Sequence, residues 1–126
     1  MILADTNILV DFFNEPSKEF AQVFAKEDVA ICGVVQAELI HGAISEKQVS
    51  AIKDMFTGLK YIDVMAQDWI SIGLFLLRLR KNGLKVPFPD AVIACLAIKE
   101  NCTVWTRDKH FSLIKDKIPE FQIFSC

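Results

Sequence analysis

The stretch MILADTN (residues 1–7) joins a short apolar segment to three consecutive polar side chains. Its first four residues, MILA, predict a buried strand, and Asp5, Thr6 and Asn7 follow that strand directly. Taken alone, these three residues are most simply a turn that caps a helix, and we expect Asn7 to start that helix. The residues at the ends of the other predicted strands decide whether Asp5 has a further role.

Two kinds of apolar pattern alternate along the rest of the chain. Strand-like segments recur as DVAIC, LKYIDV, CTVWT and FQIF, and segments of helical periodicity separate them. The longest helical segment, AQDWISIGLFLLRLRKN, closes at Gly83, and Pro89 stands at the start of the next. Five short strands and about seven helices predict an α/β fold with a parallel sheet between two helical layers. We expect residues 1–126 to form a single domain.

Four carboxylates occupy positions at which such a fold builds sites. Asp5 and Asp108 follow predicted strands, whereas Asp90 lies in the first turn of a helix and Glu38 inside an apolar one. Simpler explanations exist for each: helix caps for Asp5 and Asp108, a favourable helix dipole for Asp90, and a buried ion pair for Glu38. Parallel α/β folds, however, bind ligands beyond the carboxyl ends of their strands, where these acids would meet.

Clustered carboxylates repel one another, so they need either raised pKa values or a cation between them. Oxygen ligands of this kind suit Mg²⁺ or Mn²⁺. Thr6 and Thr106 each adjoin a strand-end acid. Their hydroxyls fit two roles equally well, the binding of a metal-bound water and the capping of a turn.

Four motifs follow one another along the chain: Asp5-Thr6-Asn7, Glu38-Leu39 with Gly42, Pro89-Asp90-Ala91, and Thr106-Arg107-Asp108 with His110-Phe111. In this order they resemble the PIN-domain nucleases, and within them the VapC-type toxins of toxin–antitoxin pairs. The resemblance covers essentially the whole chain. Each motif is weak alone, but the ordered set is fairly specific.

The resemblance implies a fold and a chemistry. The fold is a five-stranded parallel sheet of order 3-2-1-4-5 flanked by helices, and the chemistry is hydrolysis of RNA phosphodiester bonds with Mg²⁺ or Mn²⁺. Asp5, Glu38, Asp90 and Asp108 match the acidic metal-binding and catalytic set, although some members carry Asn at the last position. The supporting polar positions are matched by Thr6, Asn7 and Thr106.

The resemblance also implies partners. VapC-type toxins usually form homodimers and are held inactive by a small antitoxin that inserts a segment near the site. An excess of apolar residues, such as the phenylalanines of residues 12–24 and the segment WISIGLFLL, agrees equally with an interface and with a well-filled core. The expected contacts to the phosphates of an RNA substrate are Arg78, Arg80, Lys81, Lys85 and Arg107.

Composition and charge argue against a membrane-spanning protein and against a secreted one. The chain of 126 residues has a net charge of −2, with an acidic part (residues 1–77) and a basic part (residues 78–126). No apolar run is long enough for a membrane span, and no basic segment precedes an apolar one at the start, so we expect a cytoplasmic protein without a membrane association. The histidines His41 and His110 are not spaced as ligands, and we expect the scattered cysteines to be reduced: Cys32, Cys95, Cys102 and Cys126.

Two other functions remain open on the sequence. One is a catalytically weak PIN-fold protein that acts mainly by binding RNA or protein. The other is a phosphoryl-transfer enzyme on a similar sheet, but such enzymes of the haloacid-dehalogenase type need an aspartate where this chain has Asn7. The chain also lacks a glycine-rich phosphate loop. The nuclease is therefore the primary hypothesis.

Overall fold

A computed structural model describes residues 1–125 and places four strands and seven helices within them. The strands are β1 (Ile2–Ala4), β2 (Val29–Cys32), β3 (Lys60–Ile62) and β4 (Thr103–Trp105). The helices are α1 (Thr6–Asn14), α2 (Lys18–Lys26), α3 (Gly33–His41), α4 (Glu46–Phe56), α5 (Asp68–Lys81), α6 (Phe88–Lys99) and α7 (His110–Lys117).

The strands form one sheet of order β3-β2-β1-β4, and every neighbouring pair is parallel. All residues of β1 and β2 are buried, as expected for central strands that helices cover on both faces. The prediction of a parallel α/β fold is confirmed, and so is the number of helices within residues 1–125.

The prediction of a fifth strand is wrong for the described chain. The segment FQIF makes a single parallel bridge, between Ile123 and Val104. Two hydrogen bonds flank this bridge, from Val104 N–H to the Gln122 carbonyl at 3.0 Å and from Phe124 N–H to the Val104 carbonyl at 2.8 Å. Because pairing does not continue beyond one residue, the segment lies beside β4 without becoming a strand, and the sheet order is 3-2-1-4.

Helix α6 lies at the centre of the packing, where it contacts β4 and the helices α3, α5 and α7. Pro89 stands in its first turn, where a missing N–H costs no hydrogen bond. The helix is apolar on all sides, and six of its residues are buried: Ala91, Val92, Ile93, Ala94, Leu96 and Ala97. Asp90 therefore projects from one of the most firmly packed elements of the fold.

The register of β1 and β4 positions the strand-end polar residues. Ala4 pairs with Trp105, and the Asp5 N–H donates to the Trp105 carbonyl at 2.9 Å. Asp5 and Thr106 are thus the first residues beyond the paired strands, at the same edge of the sheet.

Three cysteines, Cys32, Cys95 and Cys102, are free thiols, and Cys126 lies outside the described residues. Within residues 1–125, none of the helices combines the length and the apolar character that crossing a membrane would require.

Candidate active site

Asp5 is held by two hydrogen bonds at the end of β1. Its Oδ1 accepts from the Thr6 backbone N–H at 2.7 Å and so caps α1, while its Oδ2 accepts from the Thr106 hydroxyl at 2.7 Å. Only 6% of the Asp5 surface is exposed. The capping explanation therefore accounts for one carboxylate oxygen, and the second oxygen ties the end of β1 to the end of β4.

Glu38 reaches Asp5 through Thr6. The Thr6 hydroxyl donates to Glu38 Oε1 at 2.8 Å, across the contact between α1 and α3. Glu38 is exposed and its hydrogen-bond partner is a neutral hydroxyl. The alternative of a buried ion pair therefore does not describe this residue.

Asp108, His110 and Asp90 complete the group. The Asp108 N–H donates to Thr106 Oγ1 at 3.0 Å, and Asp108 Oδ1 accepts from the His110 N–H at 2.9 Å, which fixes the turn before α7. His110 Nδ1 lies 3.0 Å from Asp108 Oδ1 and 3.4 Å from Asp90 Oδ2. A continuous series of short contacts thus runs from Glu38 to Asp90.

Burial and mutual repulsion raise the pKa values of two of these acids. The pKa of Asp90 rises from its ordinary value of 3.8 to about 6, first because burial disfavours the charged form, then because Asp5 and Asp108 carry like charges; His110 opposes the rise. The pKa of Asp5 is also raised, again mainly by burial, although the hydrogen bond from Thr106 works against it. The site therefore concentrates negative charge that the protein alone does not neutralise.

The PIN domain family matches residues 2–117 of this chain. The chain belongs to the PIN domain family. A curated relative, Ribonuclease VapC1 of Methanocaldococcus jannaschii, is 31% identical over 119 residues, which cover 91% of this chain and 82% of the relative.

Solved structures agree with this PIN fold. The VapBC2 complex of Rickettsia felis, bound to a DNA fragment from its promoter, contains a chain with a TM-score of 0.81 and 27% identity, covering 98% of both chains. A chain of the DNA-bound VapBC of Salmonella typhimurium has a TM-score of 0.86 at 22% identity and covers 98% of this chain and 96% of its own. The latter likeness is one of fold.

The PIN family resemblance implies a divalent metal, and the acids of this chain fit one. Asp90, Asp108 and His110 each offer a ligand atom, and the three atoms lie within 4.8 Å of one another. Among the described residues, two buried side-chain atoms lack a hydrogen-bond partner, and both belong to this group: Asp90 Oδ2 and His110 Nδ1. Buried polar atoms normally have partners, so this pair is suited to a ligand that binds there.

Asn7 and Arg107 lie beside the group and not in it. Asp5 is the N-cap of α1 and Asn7 lies inside the helix, so the prediction that Asn7 starts it is wrong. The Asn7 Oδ1 accepts instead from the Arg107 N–H at 3.3 Å. The Arg107 guanidinium pairs with Asp11 at 2.5 Å and lies 5.4 Å from the ring centre of Phe20. These contacts hold the loop after β4 against α1 and α2.

The other basic residues predicted to contact RNA lie on and after α5. Arg78 forms a bidentate salt bridge with Glu120, in which the two guanidinium NH groups donate to the two carboxylate oxygens at 2.6 and 3.1 Å. Arg80 and Lys85 line an open cavity of about 820 Å³ between α5 and the segment that follows it. Lys81 is exposed at the end of α5.

Sequence reasoning missed His110 and Asp11. Neither histidine is spaced as a ligand along the chain, yet His110 Nδ1 lies 3.0 Å from Asp108 Oδ1 and 3.4 Å from Asp90 Oδ2 in the structure. Its position two residues after Asp108, at the start of a helix, is a signal that was present in the sequence. Asp11 carried no comparable signal, because its partner Arg107 is distant along the chain.

Proposed function

We propose that this chain is a divalent-metal-dependent endoribonuclease that hydrolyses RNA phosphodiester bonds, and that it is the toxin of a type II toxin–antitoxin pair. The observation that carries the proposal is the series of contacts that draws Asp5, Glu38, Asp90 and Asp108 to one edge of the sheet. The identity with a relative named a ribonuclease supports the same chemistry. In this proposal residues 1–126 act as one domain in the cytoplasm.

The four acids would hold Mg²⁺ or Mn²⁺, which lowers the pKa of bound water and offsets charge on the phosphate. Two threonine residues of the chain orient the carboxylates. Thr106 fixes one oxygen of Asp5, and Thr6 fixes one oxygen of Glu38, which leaves the second Glu38 oxygen available to a cation or a proton.

Basic residues near α5 would align the RNA through its phosphates. Arg80, Lys81 and Lys85 suit this role, because Arg80 and Lys85 line an open cavity and Lys81 is exposed. Arg78 and Arg107 suit it less, because each is engaged with a carboxylate of the same chain. In Arg107 that engagement supports the site by holding the loop that carries Asp108.

Exposed apolar surface supports the two protein partners in the proposal. A groove of about 310 Å³ reaches Glu38 between α1, α3 and α4, and its wall includes Val10, Phe13 and Ile44. Ile44 is 88% exposed, so a segment of antitoxin bound there would cover apolar surface and lie next to an acid of the site. A second surface, on α5, includes Ile70 and Leu74, which are 73% and 61% exposed, and would serve a homodimer.

The direct test is cleavage of a structured RNA by purified protein with Mg²⁺ or Mn²⁺ and with EDTA. Asp5→Asn removes one charge from the site at constant size, and Asp54→Asn, at an exposed position of α4, is the matched control. We expect cleavage only with metal, a fall of at least about 100-fold for Asp5→Asn, and full activity for the control. Wild-type protein that binds RNA but does not cleave it would favour the alternative of a PIN-fold binding protein.

A further inference from the structure

His110 places a buried nitrogen where the acids of the site converge. The side chain is 44% exposed, yet its Nδ1 atom is inaccessible, so the accessible surface belongs to the rest of the side chain. Nδ1 lies 3.0 Å from Asp108 Oδ1 and 3.4 Å from Asp90 Oδ2. An imidazole nitrogen this close to two carboxylates has two possible uses, as a hydrogen-bond donor or as a metal ligand.

The geometry does not satisfy a hydrogen bond. In the part of the chain described, neither Nδ1 nor Asp90 Oδ2 has a hydrogen-bond partner, although the two atoms are neighbours. A buried polar atom without a hydrogen-bond partner destabilises the folded state, so a neighbouring pair of such atoms is unfavourable unless a ligand binds them. Asp108 Oδ1 already accepts from the backbone N–H of His110, which engages one of its lone pairs.

The spacing is that of ligands around one cation. In octahedral coordination at about 2.1 Å, two adjacent ligand atoms lie about 3.0 Å apart. His110 Nδ1 lies 3.0 Å from Asp108 Oδ1 and 3.4 Å from Asp90 Oδ2, which is close to that spacing. One cation could therefore contact both carboxylates and the imidazole.

We propose that His110 Nδ1 is a metal ligand together with Asp90 and Asp108, and that it makes the site prefer first-row transition-metal ions over Mg²⁺. The inference rests on the proposed metal dependence and names the ion class that the site selects. Mg²⁺ favours oxygen ligands and readily keeps water in place of a nitrogen, whereas affinity for nitrogen donors rises from Mn²⁺ to Co²⁺. The contribution of His110 should therefore increase in the order Mg²⁺, Mn²⁺, Co²⁺.

The test measures binding of these three ions by calorimetry to wild-type protein, His110→Ala and His41→Ala. His41, on the exposed end of α3, is the matched control because it is the other histidine of the chain. We expect His110→Ala to lose at least about tenfold in Co²⁺ affinity and about threefold or less in Mg²⁺ affinity. His41→Ala should bind all three ions as the wild type does.

Pulsed electron paramagnetic resonance of the Mn²⁺-loaded protein gives a direct readout. A coupling to a coordinated imidazole nitrogen is expected in the wild type and in His41→Ala, and its loss is expected in His110→Ala. His110→Asn guards against misfolding, because an amide oxygen can replace the nitrogen as a ligand and should restore Mg²⁺ affinity more than Co²⁺ affinity. Circular dichroism shows whether each variant is folded.

Three results would overturn the inference: a nitrogen coupling that survives in folded His110→Ala, an equal loss of affinity for all three ions, or unchanged metal affinities in that variant. None depends on cleavage of RNA. A protein that binds Co²⁺ through His110 but leaves RNA intact would refute the nuclease and keep the ligand assignment. If the wild-type protein cleaves RNA and His110→Ala has unchanged metal affinities, the ligand assignment is refuted and the nuclease proposal is kept.

Discussion

Replacing Asp90 by asparagine is expected to stabilise the protein when divalent cations are absent. Burial and the charges of Asp5 and Asp108 raise the pKa of Asp90 from 3.8 to about 6, and only 13% of its side chain is exposed. The Asp90 carboxyl group therefore binds a proton more tightly in the folded state than in the unfolded state. The contribution of Asp90 to the free energy of unfolding is greatest below its ordinary pKa of 3.8. It falls as the pH rises through its folded-state pKa of about 6, over a window from about pH 4 to pH 7.

The size of the effect follows from the difference between the two pKa values. Each pKa unit corresponds to about 1.4 kcal/mol, so the ionised Asp90 carboxylate costs the folded state about 3 kcal/mol at pH 8. For a domain of this length that is about 10 °C in melting temperature. Asparagine keeps the shape of the side chain and carries no charge, so the substitution removes this pH-dependent cost.

The assay is thermal unfolding in EDTA at several pH values between 4 and 8. Asp90→Asn should melt well above the wild type at pH 8, and the gap should narrow towards pH 4. The control Asp54→Asn, which changes an exposed carboxylate on α4, should stay within about 0.5 kcal/mol of the wild type throughout. If Asp90→Asn is less stable than the wild type at pH 8, the carboxylate makes a net favourable contact, with His110 the nearest candidate, and the reasoning is wrong.

Three further substitutions test other parts of the fold. Thr106→Val removes the hydroxyl that binds Asp5 and the acceptor of a backbone N–H, so RNA cleavage should fall about 10–100-fold with a loss of about 1–2 kcal/mol in unfolding free energy; unchanged cleavage would contradict its positioning role. Ile70→Asp on α5 should convert a dimer to a folded monomer in analytical ultracentrifugation, and a persistent dimer would exclude this face as the interface. Asp68→Asn should lower the melting temperature at pH 7, because Lys99 donates to both carboxylate oxygens at 2.8 and 3.0 Å. Lys99 lowers the pKa of Asp68, so this stability is lost as the pH falls through the lowered value, and the variant should show a weaker acid dependence.

Local patterns were enough to predict most elements of the fold. Helix α5 lies inside the predicted segment AQDWISIGLFLLRLRKN, and the strands β1, β2, β3 and β4 all lie inside the segments predicted for them. The prediction of a strand at FQIF is wrong because it rests on composition alone. A strand also requires a partner strand that pairs with it over several consecutive residues. The FQIF segment has one such contact, at Val104. Pairing of this kind depends on tertiary structure, which periodicity does not contain.

The sequence predicts the four acids of the candidate site but not the hydrogen bonds that link them. Each of the four carboxylates has a simple local explanation, and it is their joint placement at strand ends and on helices near the same sheet edge that indicates a site. The bridging roles of Thr6 and Thr106 depend on the register of β1 with β4 and on the contact between α1 and α3. Asparagine favours helix starts, which predicts that Asn7 begins α1, but Asp5 is the N-cap and the Asn7 side chain instead accepts a hydrogen bond from the loop after β4.

The raised pKa of Asp90 and the two buried atoms without hydrogen-bond partners, Asp90 Oδ2 and His110 Nδ1, are in agreement with a site that binds a cation. A sequence that favoured stability alone would place asparagine or an apolar residue at position 90, where the helix is already tightly packed. The chain instead keeps a charge that destabilises the metal-free fold. A cation bound between these carboxylates would attract each of them and so would offset their mutual repulsion. If the site binds a cation as proposed, the cost of the ionised Asp90 and the affinity for the cation have one electrostatic cause, and the Asp90→Asn variant should lose both together.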